Sequence, residues 1–155
     1  MKPPEEHIKV VARNRKARHS FLVHDELECG IELKGTEVKS LRSGEASIRE
    51  AYGRLIKGEL FLMGSNIPEY SHGTAANHNP VRDRKLLAHA REIAKWEKRV
   101  KEKGMTIVPL EVYFRGPLVK VKMALVQGKK LFDKRQDQKT KSAKRDMDRA
   151  MGRRR

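Results

Sequence analysis

Two segments near residue 115 constrain the fold of this chain more than any other feature. From Val108 to Phe114, and again from Val119 to Leu125, an apolar residue stands at every second position. A period of two is the pattern of a β-strand with one buried and one solvated face. Gly116 and Pro117 separate the segments, which therefore predict an antiparallel hairpin in a sheet that faces water on one side.

Shorter strand-like segments fill the first half of the chain: Ile8–Arg13, Phe21–His24, Leu27–Leu33, Ala46–Ile56 and Glu59–Ile67. Lys57 and Gly58 join the last two, and glycine tolerates the positive φ of a two-residue hairpin. Five or six short antiparallel strands interrupted by helices make the chain mainly β. They favour a small closed barrel of the OB type, whereas a two-sheet sandwich fits the same pattern.

One short helix is predicted over Thr36–Arg42. Thr36 would cap it, and Gly44 would end it. Ser71–Asn79 is rich in Gly, Asn and His and is predicted to be a loop.

A second helical region is predicted after this loop. Asn79 and Pro80 form a cap and first-turn pair. Apolar residues then follow at spacings of three and four, as in one helical stripe: Leu86, Leu87, Ala90, Ile93, Ala94 and Val100. Gly104 ends the region, which forms either one helix or a short helix through His89 and a longer one from Arg91.

The charge of the chain indicates what kind of partner it has. It contains 36 Lys or Arg against 20 Asp or Glu, a formal net charge of +16. Lys and Arg neutralise phosphates and release condensed counterions, so we expect a polyanionic partner. Residues Gln127–Arg155 contain 12 Lys or Arg and 4 Asp, a net +8, which is half of the total.

This composition divides the chain into a body, residues 1–126, and a basic tail, residues 127–155. The body is long enough for one hydrophobic core. The tail lacks the apolar residues that a core needs, so we expect it to be disordered when free. Ala143, Met147, Ala150 and Met151 stand at helical spacing, which predicts a helix once phosphates neutralise the tail.

Several classes of protein do not fit the sequence. No apolar run approaches the ~20 residues that span a bilayer, and the first residues lack the apolar region of a secretory signal. We therefore expect a cytoplasmic protein without a membrane partner. Cys29 is the single cysteine, no histidine pair has the H-x-x-x-H spacing, and His72 and His78 form at most a weak site. We expect no metal, no cofactor and no enzymatic activity.

Four groups of residues carry a resemblance to a known family. They are Asn14–His19, then Gly30–Leu33 with Gly35–Arg42, then Asn79–Leu87, and finally Gly128–Lys130 with Asp133–Arg135. They occur in one order over nearly the whole chain. In this combination the chain resembles the SsrA-binding proteins, also called small protein B, which are partners of transfer-messenger RNA.

The resemblance implies a part in trans-translation, the rescue of stalled ribosomes, without catalysis by the protein itself. The body would bind the tRNA-like domain of transfer-messenger RNA, and elongation factor Tu would accompany the aminoacylated RNA. On a stalled ribosome the tail would contact small-subunit rRNA at the decoding centre and in the empty mRNA channel. Translation would then switch to this RNA and add a degradation tag. No DNA partner is implied.

The resemblance places four residues in the RNA-contacting surface: Asn14, Glu28, Leu87 and His89. The residue types add further contacts. Lys16 and Arg18 can pair with phosphates, and His19 can stack on a base or donate to a phosphate or 2′-hydroxyl group. Glu28 can accept hydrogen bonds from base amino groups. From the residues alone, a structural His19 and a merely solvated Glu28 are the alternatives.

Leu86 and Leu87 are core residues by helical spacing. Only one of the two can point fully inward, so the other can touch RNA.

In the tail, the resemblance assigns ribosome contacts to Lys129, Lys130, Phe132, Asp133, Lys134, Arg135, Lys139, Lys144 and Arg145. Phe132 would act by stacking. The alternative is a solubilising basic tail without specific contacts.

Two other function classes share this size and charge. One is a basic structural component of the ribosome, which would stay bound regardless of stalling. The other is an RNA-modifying enzyme that uses His19 and Glu28 as an acid–base pair, and it would need a cofactor or metal site that the sequence does not show. The RNA that copurifies with the protein distinguishes the three: mainly transfer-messenger RNA, bulk rRNA or many tRNAs.

Overall fold

A computed structural model describes residues 7–71 and 77–128 of the chain. The elements in chain order are β1 (Ile8–Arg13), α1 (Arg15–Ser20), β2 (Phe21–Ile31), α2 (Gly35–Arg42), β3 (Tyr52–Ile56), β4 (Glu59–Met63), β5 (Arg84–Leu87), α3 (Ala90–Lys103), β6 (Thr106–Arg115) and β7 (Leu118–Gly128). Predictions for residues 1–6, 72–76 and 129–155 lie outside the described residues.

The strands form one antiparallel sheet that closes on itself. β6 pairs with β7 along its length, and its other edge pairs with β1 and β3. The ring runs β6, β3, β4, β5, β2, β7 and back to β6, with β1 outside it. The predicted antiparallel barrel is therefore confirmed, and the sandwich alternative is wrong for the described residues.

Closure of the barrel depends on a close approach at Gly53. This residue stands opposite Ile107, in the one register pair between β3 and β6. A Cβ atom on Gly53 would lie 2.6 Å from Cγ2 of Ile107. Only glycine lets the two strands come together at this point.

Both predicted hairpins are confirmed. Gly116, with a φ of 58°, begins the turn between β6 and β7, and Lys57 and Gly58 join β3 to β4 at positive φ. The strands β3 and β4 are shorter than predicted. Beyond them, only an isolated bridge between Ser47 and Asn66 continues the pairing.

The apolar residues of β6 and β7 form two clusters on opposite faces. The main core lies inside the barrel and takes Ile107, Val112, Phe114, Val121, Met123 and Leu125 from these strands. A smaller cluster lies outside, beneath α1: Ala17, Val108, Leu110, Ala124 and Val126. The register of β6 shifts between Pro109 and Glu111. The predicted single apolar face of this strand is wrong, because the bulge changes which alternate residues point inward.

The predicted helix across Leu86 and Leu87 is also wrong. These residues belong to strand β5, which pairs with β4 on one side and β2 on the other. The strand supplies backbone hydrogen bonds to two otherwise unpaired edges, and this tertiary gain outweighs the local helical pattern. Helix α3 begins only at Ala90, and Asn79 instead accepts from the N–H of Val81 in a loop.

Helix α2 is confirmed, but its cap is not the predicted one. The N-cap is Lys34, whose backbone N–H donates to the side chain of Glu37 at 2.8 Å. The hydroxyl of Thr36 instead lies 2.9 Å from Nδ1 of His78. The bond from the Lys34 N–H to Glu37 satisfies one of the free N–H groups at the helix start.

Helix α3 covers one end of the core and stops at Gly104, as predicted, with a φ of 62°. Ile93 and Trp96 are buried, whereas Ala90 and Ala94 are exposed and do not belong to the predicted stripe. The indole Nε1 of Trp96 donates to a carboxylate oxygen of Asp25 at 2.9 Å. Within residues 7–71 and 77–128, the helices are too short or too polar to cross a membrane.

Candidate nucleic-acid interface

The first group of predicted RNA contacts lies on α1, a helix not assigned from the sequence. Asn14 caps it by accepting from the N–H of Ala17 at 3.1 Å. The Nδ2 group of Asn14 donates to the carbonyl oxygens of Ile48 and Pro109, and its backbone N–H donates to Leu110. Asn14 is only 5% exposed, so it fastens α1 to two other segments.

Three predicted contacts, Lys16, Arg18 and His19, stand on the solvent side of α1 and are exposed. Nη2 of Arg18 lies 3.8 Å from Oε1 of Glu111 on β6, and Nε of Arg13 lies 3.8 Å from the same oxygen. Both arginine side chains are more than half exposed, so these ion pairs contribute little to stability. The cations therefore stay available to an anionic ligand.

The second group lies on the outside of β2, β7 and β6. Glu28 stands opposite Lys122, which stands opposite Glu111. The next row contains Leu87, Gly30, Lys120 and Tyr113. Side chains of directly opposite residues share one face of a sheet. We call this surface the β7 face: Glu28, Gly30, Leu87, Glu111, Tyr113, Arg115, Lys120 and Lys122.

Glu28 is anchored on the β7 face. Its Oε2 accepts from the hydroxyl of Tyr113 and from Nη2 of Arg115, the latter at 2.6 Å. Partial burial raises the pKa of Glu28, but these hydrogen bonds and the charge of Arg115 outweigh it, and the pKa is lowered. Burial and the bond to Glu28 raise the pKa of Tyr113 to about 12, so its hydroxyl remains a donor.

Leu86 and Leu87, neighbours in β5, point to opposite faces of the sheet. Leu86 is 1% exposed and packs in the main core, whereas Leu87 is 48% exposed. Successive strand residues point to opposite faces, so Leu87 is the one available to a ligand. His89 is exposed and is the N-cap of α3, without a side-chain cap hydrogen bond.

Comparison with known proteins identifies the family. A family model described as SmpB protein matches residues 11–153. The chain belongs to the SmpB family. An SsrA-binding protein of Mycolicibacterium vanbaalenii is 50% identical over 145 residues, 94% of this chain and 88% of the relative. One of Kineococcus radiotolerans is 48% identical over 152 residues, 98% of this chain and 97% of the relative.

A solved structure agrees with this assignment. It comes from work described as "tmRNA-SmpB: a journey to the center of the bacterial ribosome". It is 43% identical, with a TM-score of 0.64, and the match covers 76% of this chain and 82% of the other. The resemblance drawn from the motifs is thereby confirmed for the SmpB family.

Two SmpB motifs meet inside the fold through charged residues to which the sequence analysis gave no role. Glu37 and Arg84 are both fully buried. The Glu37 carboxylate accepts from Nε of Arg84 and, at 3.0 Å, from Nε of Arg82. Arg84 also donates to the Ser65 hydroxyl and to the carbonyl of Pro80. A buried charge needs such partners, so this cluster fastens α2 to the start of β5.

The pKa shifts in this cluster follow from burial and pairing. Burial raises the pKa of Glu37, but hydrogen bonds from Arg82, the Lys34 N–H and Arg84 outweigh it, and the pKa is lowered. Burial lowers the pKa of Arg84, against the opposing effect of Glu37. Guanidinium groups keep their proton in proteins, so the cluster holds a carboxylate between two cations.

His78 and Cys29 of this SmpB chain are buried in the fold. His78 is 2% exposed, and its Nε2 lies 2.8 Å from the carbonyl oxygen of Ile67. Burial raises the pKa of the Cys29 thiol to about 12, which keeps it protonated and unreactive. No three His, Cys, Asp or Glu side chains in the described ranges come close enough to hold a metal ion.

The predicted ribosome contacts of the tail, from Lys129 to Arg145, lie outside the described residues, as does His72. Strand β7 reaches Gly128, which pairs with Phe21, so it continues past the predicted end of the body at residue 126. Gly128 therefore lies beside the end of α1.

Tyr113 and Arg115 hold Glu28 on the β7 face, and the sequence analysis gave neither of them a role. Both stand in the outward phase of a predicted strand, which predicts exposure, but Tyr113 is only 3% exposed. They are separated from Glu28 by 85 and 87 positions in the sequence. A local sequence pattern cannot predict contacts between residues so far apart.

Proposed function

We propose that this SmpB-family chain binds the tRNA-like domain of transfer-messenger RNA and acts in trans-translation. The grouping of the candidate contacts supports this best. Residues from distant parts of the sequence lie on α1 and on the adjoining β7 face. The surface combines exposed cations, an anchored carboxylate and an exposed leucine. Structured RNA offers phosphates, base edges and ribose hydroxyls to such groups.

On α1, we assign a role to each of the three predicted contacts. Lys16 and Arg18 pair with phosphates, because both are exposed cations. His19 stacks on a base or donates to a phosphate or 2′-hydroxyl group. Asn14 acts indirectly, since its side-chain atoms are occupied in holding α1.

On the β7 face and beside it, three residues contact the RNA. Glu28 accepts from a base-edge N–H group. Leu87 packs its exposed half against a base or ribose. His89, which follows β5, contacts the same strand of RNA.

The proposal extends to the ribosome. The tail, residues 127–155, enters the empty mRNA channel near the decoding centre, and its cations contact small-subunit rRNA. Elongation factor Tu accompanies the aminoacylated RNA. The protein works in the cytoplasm as a binding factor, and the chemistry belongs to its partners.

RNA binding is tested with the full-length protein and a transcript of the tRNA-like domain at several salt concentrations. Arg18→Ala should weaken binding and flatten the salt dependence by about one phosphate contact. His19→Ala should weaken binding with little change in that slope. Arg54→Ala is the matched control, because it removes one exposed cation from β3, across the barrel from β2. Equal losses from Arg18→Ala and Arg54→Ala would refute the proposed interface.

The tail is tested by a chain that ends at Gly128 and so retains all of β7. It should fold and bind the RNA but fail to support tagging on stalled ribosomes in a reconstituted translation system. Changing Asp133, Lys134 and Arg135 together to Ala removes three charges but only one net positive charge. Tagging should fall in this variant too if the tail is read by position. Full tagging by the truncated chain would overturn the tail's role but not RNA binding by the body.

A further inference from the structure

The β7 face holds one carboxylate in place with two donors from a different strand. The Tyr113 hydroxyl and Nη2 of Arg115 both donate to Oε2 of Glu28. Tyr113 is 3% exposed, so packing fixes its ring, and the Glu28 side chain is 36% exposed. Two donors from β6, which lies on the far side of β7 from β2, limit the positions that this partly exposed carboxylate can adopt.

We propose that Tyr113 and Arg115 are positioning residues that fix Glu28 as the acceptor for a single N–H or O–H group of the bound RNA. This inference rests on the proposed function. A carboxylate offers about two acceptor positions on each oxygen. Both protein donors use Oε2, which leaves Oε1 for the ligand. A base amino group or a ribose 2′-hydroxyl needs one oxygen, whereas the paired N–H groups of a guanine edge need both.

The charges around Glu28 fit this reading. Among the described residues of β2, β7 and β6, the charged and titratable groups that share its face are Lys120, Lys122, Glu111, Tyr113, Arg115 and Glu26. The two lysines lie side by side on β7, next to the carboxylate, and can bind phosphates. A fixed carboxylate beside these cations repels a backbone phosphate and accepts from a base or ribose donor, and this difference sets the register of the RNA.

The test begins with Tyr113→Phe, which removes the hydroxyl and keeps the buried ring. Affinity for a transcript of the tRNA-like domain should fall about three- to tenfold, the effect of losing one hydrogen bond. Tyr52→Phe is the control for loss of a tyrosine hydroxyl outside the β7 face, since Tyr52 is 44% exposed on β3. It should leave affinity unchanged. An unchanged affinity for Tyr113→Phe would overturn the proposal.

A double-mutant cycle tests whether Tyr113 acts through Glu28. In a Glu28→Gln chain, Tyr113→Phe should cause less than about a twofold further loss, because the group that it positions is already changed. Equal losses in both backgrounds would mean that Tyr113 touches RNA directly or supports the fold, and the positioning role would be wrong. Thermal unfolding of each variant shows whether the barrel is intact.

The pH profile supplies a readout that a structural role would not move. The ionised carboxylate of Glu28 is a stronger acceptor than the protonated acid, so affinity should fall as pH falls through its pKa. Loss of the Tyr113 donor raises that pKa, so the fall should begin at a higher pH in Tyr113→Phe than in wild type. Coincident profiles would contradict the proposal. The same RNA is used in both measurements, so its own titration cancels.

Arg115 is tested by its charge. Arg115→Lys keeps the charge but not the fork of donors, and it should reproduce the loss seen with Tyr113→Phe at an unchanged salt slope. Arg115→Ala could instead flatten the salt dependence of binding by about one phosphate contact, both in wild type and in the Glu28→Gln background. That result would make Arg115 a phosphate contact and not a positioning residue.

Failure of this proposal is distinguishable from failure of the proposed function. If the function is wrong, the wild-type chain does not bind the tRNA-like domain more tightly than an unrelated RNA of equal length. If only the positioning role is wrong, specific binding and the Arg18→Ala slope remain, and the cycle shows no coupling.

Discussion

Replacing Leu86 or Leu87 by Ala should separate folding from RNA binding, because these neighbours lie on opposite sides of β5. Leu86 is 1% exposed in the main core, and Leu87 is 48% exposed on the β7 face. Truncating a buried leucine costs about 2–5 kcal/mol, since a cavity adds to the lost transfer free energy. Half-burial of Leu87 is worth about half of a leucine's ~2 kcal/mol. Leu87→Ala should therefore lower the free energy of unfolding by only about 1 kcal/mol.

RNA should cover the exposed half of Leu87, so Leu87→Ala should also weaken binding by about 1 kcal/mol, roughly fivefold. Leu86→Ala should bind almost normally, because domains stable by about 5–15 kcal/mol remain folded after such a loss. Urea titration measures the free energy of unfolding, and a titration with the tRNA-like transcript at one salt concentration measures affinity. If Leu86→Ala lost affinity while Leu87→Ala kept it, the assignment of the two faces would be wrong.

The other predictions concern buried polar groups. Glu37→Ala leaves Arg82 and Arg84 without their shared carboxylate and should lower the free energy of unfolding by about 3–5 kcal/mol in urea. The pKa of Glu37 is lowered in the fold, because its hydrogen bonds outweigh the effect of burial. Its contribution is therefore present above the unfolded-state pKa and lost as pH falls through the folded-state pKa, so acid should destabilise wild type more than Glu37→Gln. Asn14→Ala removes the cap of α1 and should cost about 1–2 kcal/mol in thermal unfolding; an unchanged stability would contradict the capping role.

The parts of the fold that could be predicted are those that local physics controls. The hairpin of β6 and β7 follows from apolar alternation and from Gly116 at the turn, all within neighbouring residues. The end of α3 at Gly104 has the same local origin, because glycine accepts the left-handed conformation without strain. Each of these signals lies within a short continuous segment, so it can be read from the sequence.

The errors have a different origin. Arg84–Leu87 shares apolar spacing with the helix that follows, yet it is a strand because β4 and β2 both need a partner. The outward positions of β7 change from Lys120 and Lys122 to Ala124 and Val126, which α1 covers. That change in polarity was a signal for a covered surface, but it does not say which segment covers it.

By itself, the sequence determined the family, the antiparallel β class, the basic character of the chain and most of the candidate RNA contacts. Motif order, periodicity and charge carry that information. The tertiary structure alone decided that Leu87 faces outward, that Asn14 holds α1 and that Tyr113 reaches Glu28. The physical reason is that alternation gives the face of a residue but not its neighbour. Register and closure are set by burial and hydrogen bonding over the whole barrel, which no single segment contains.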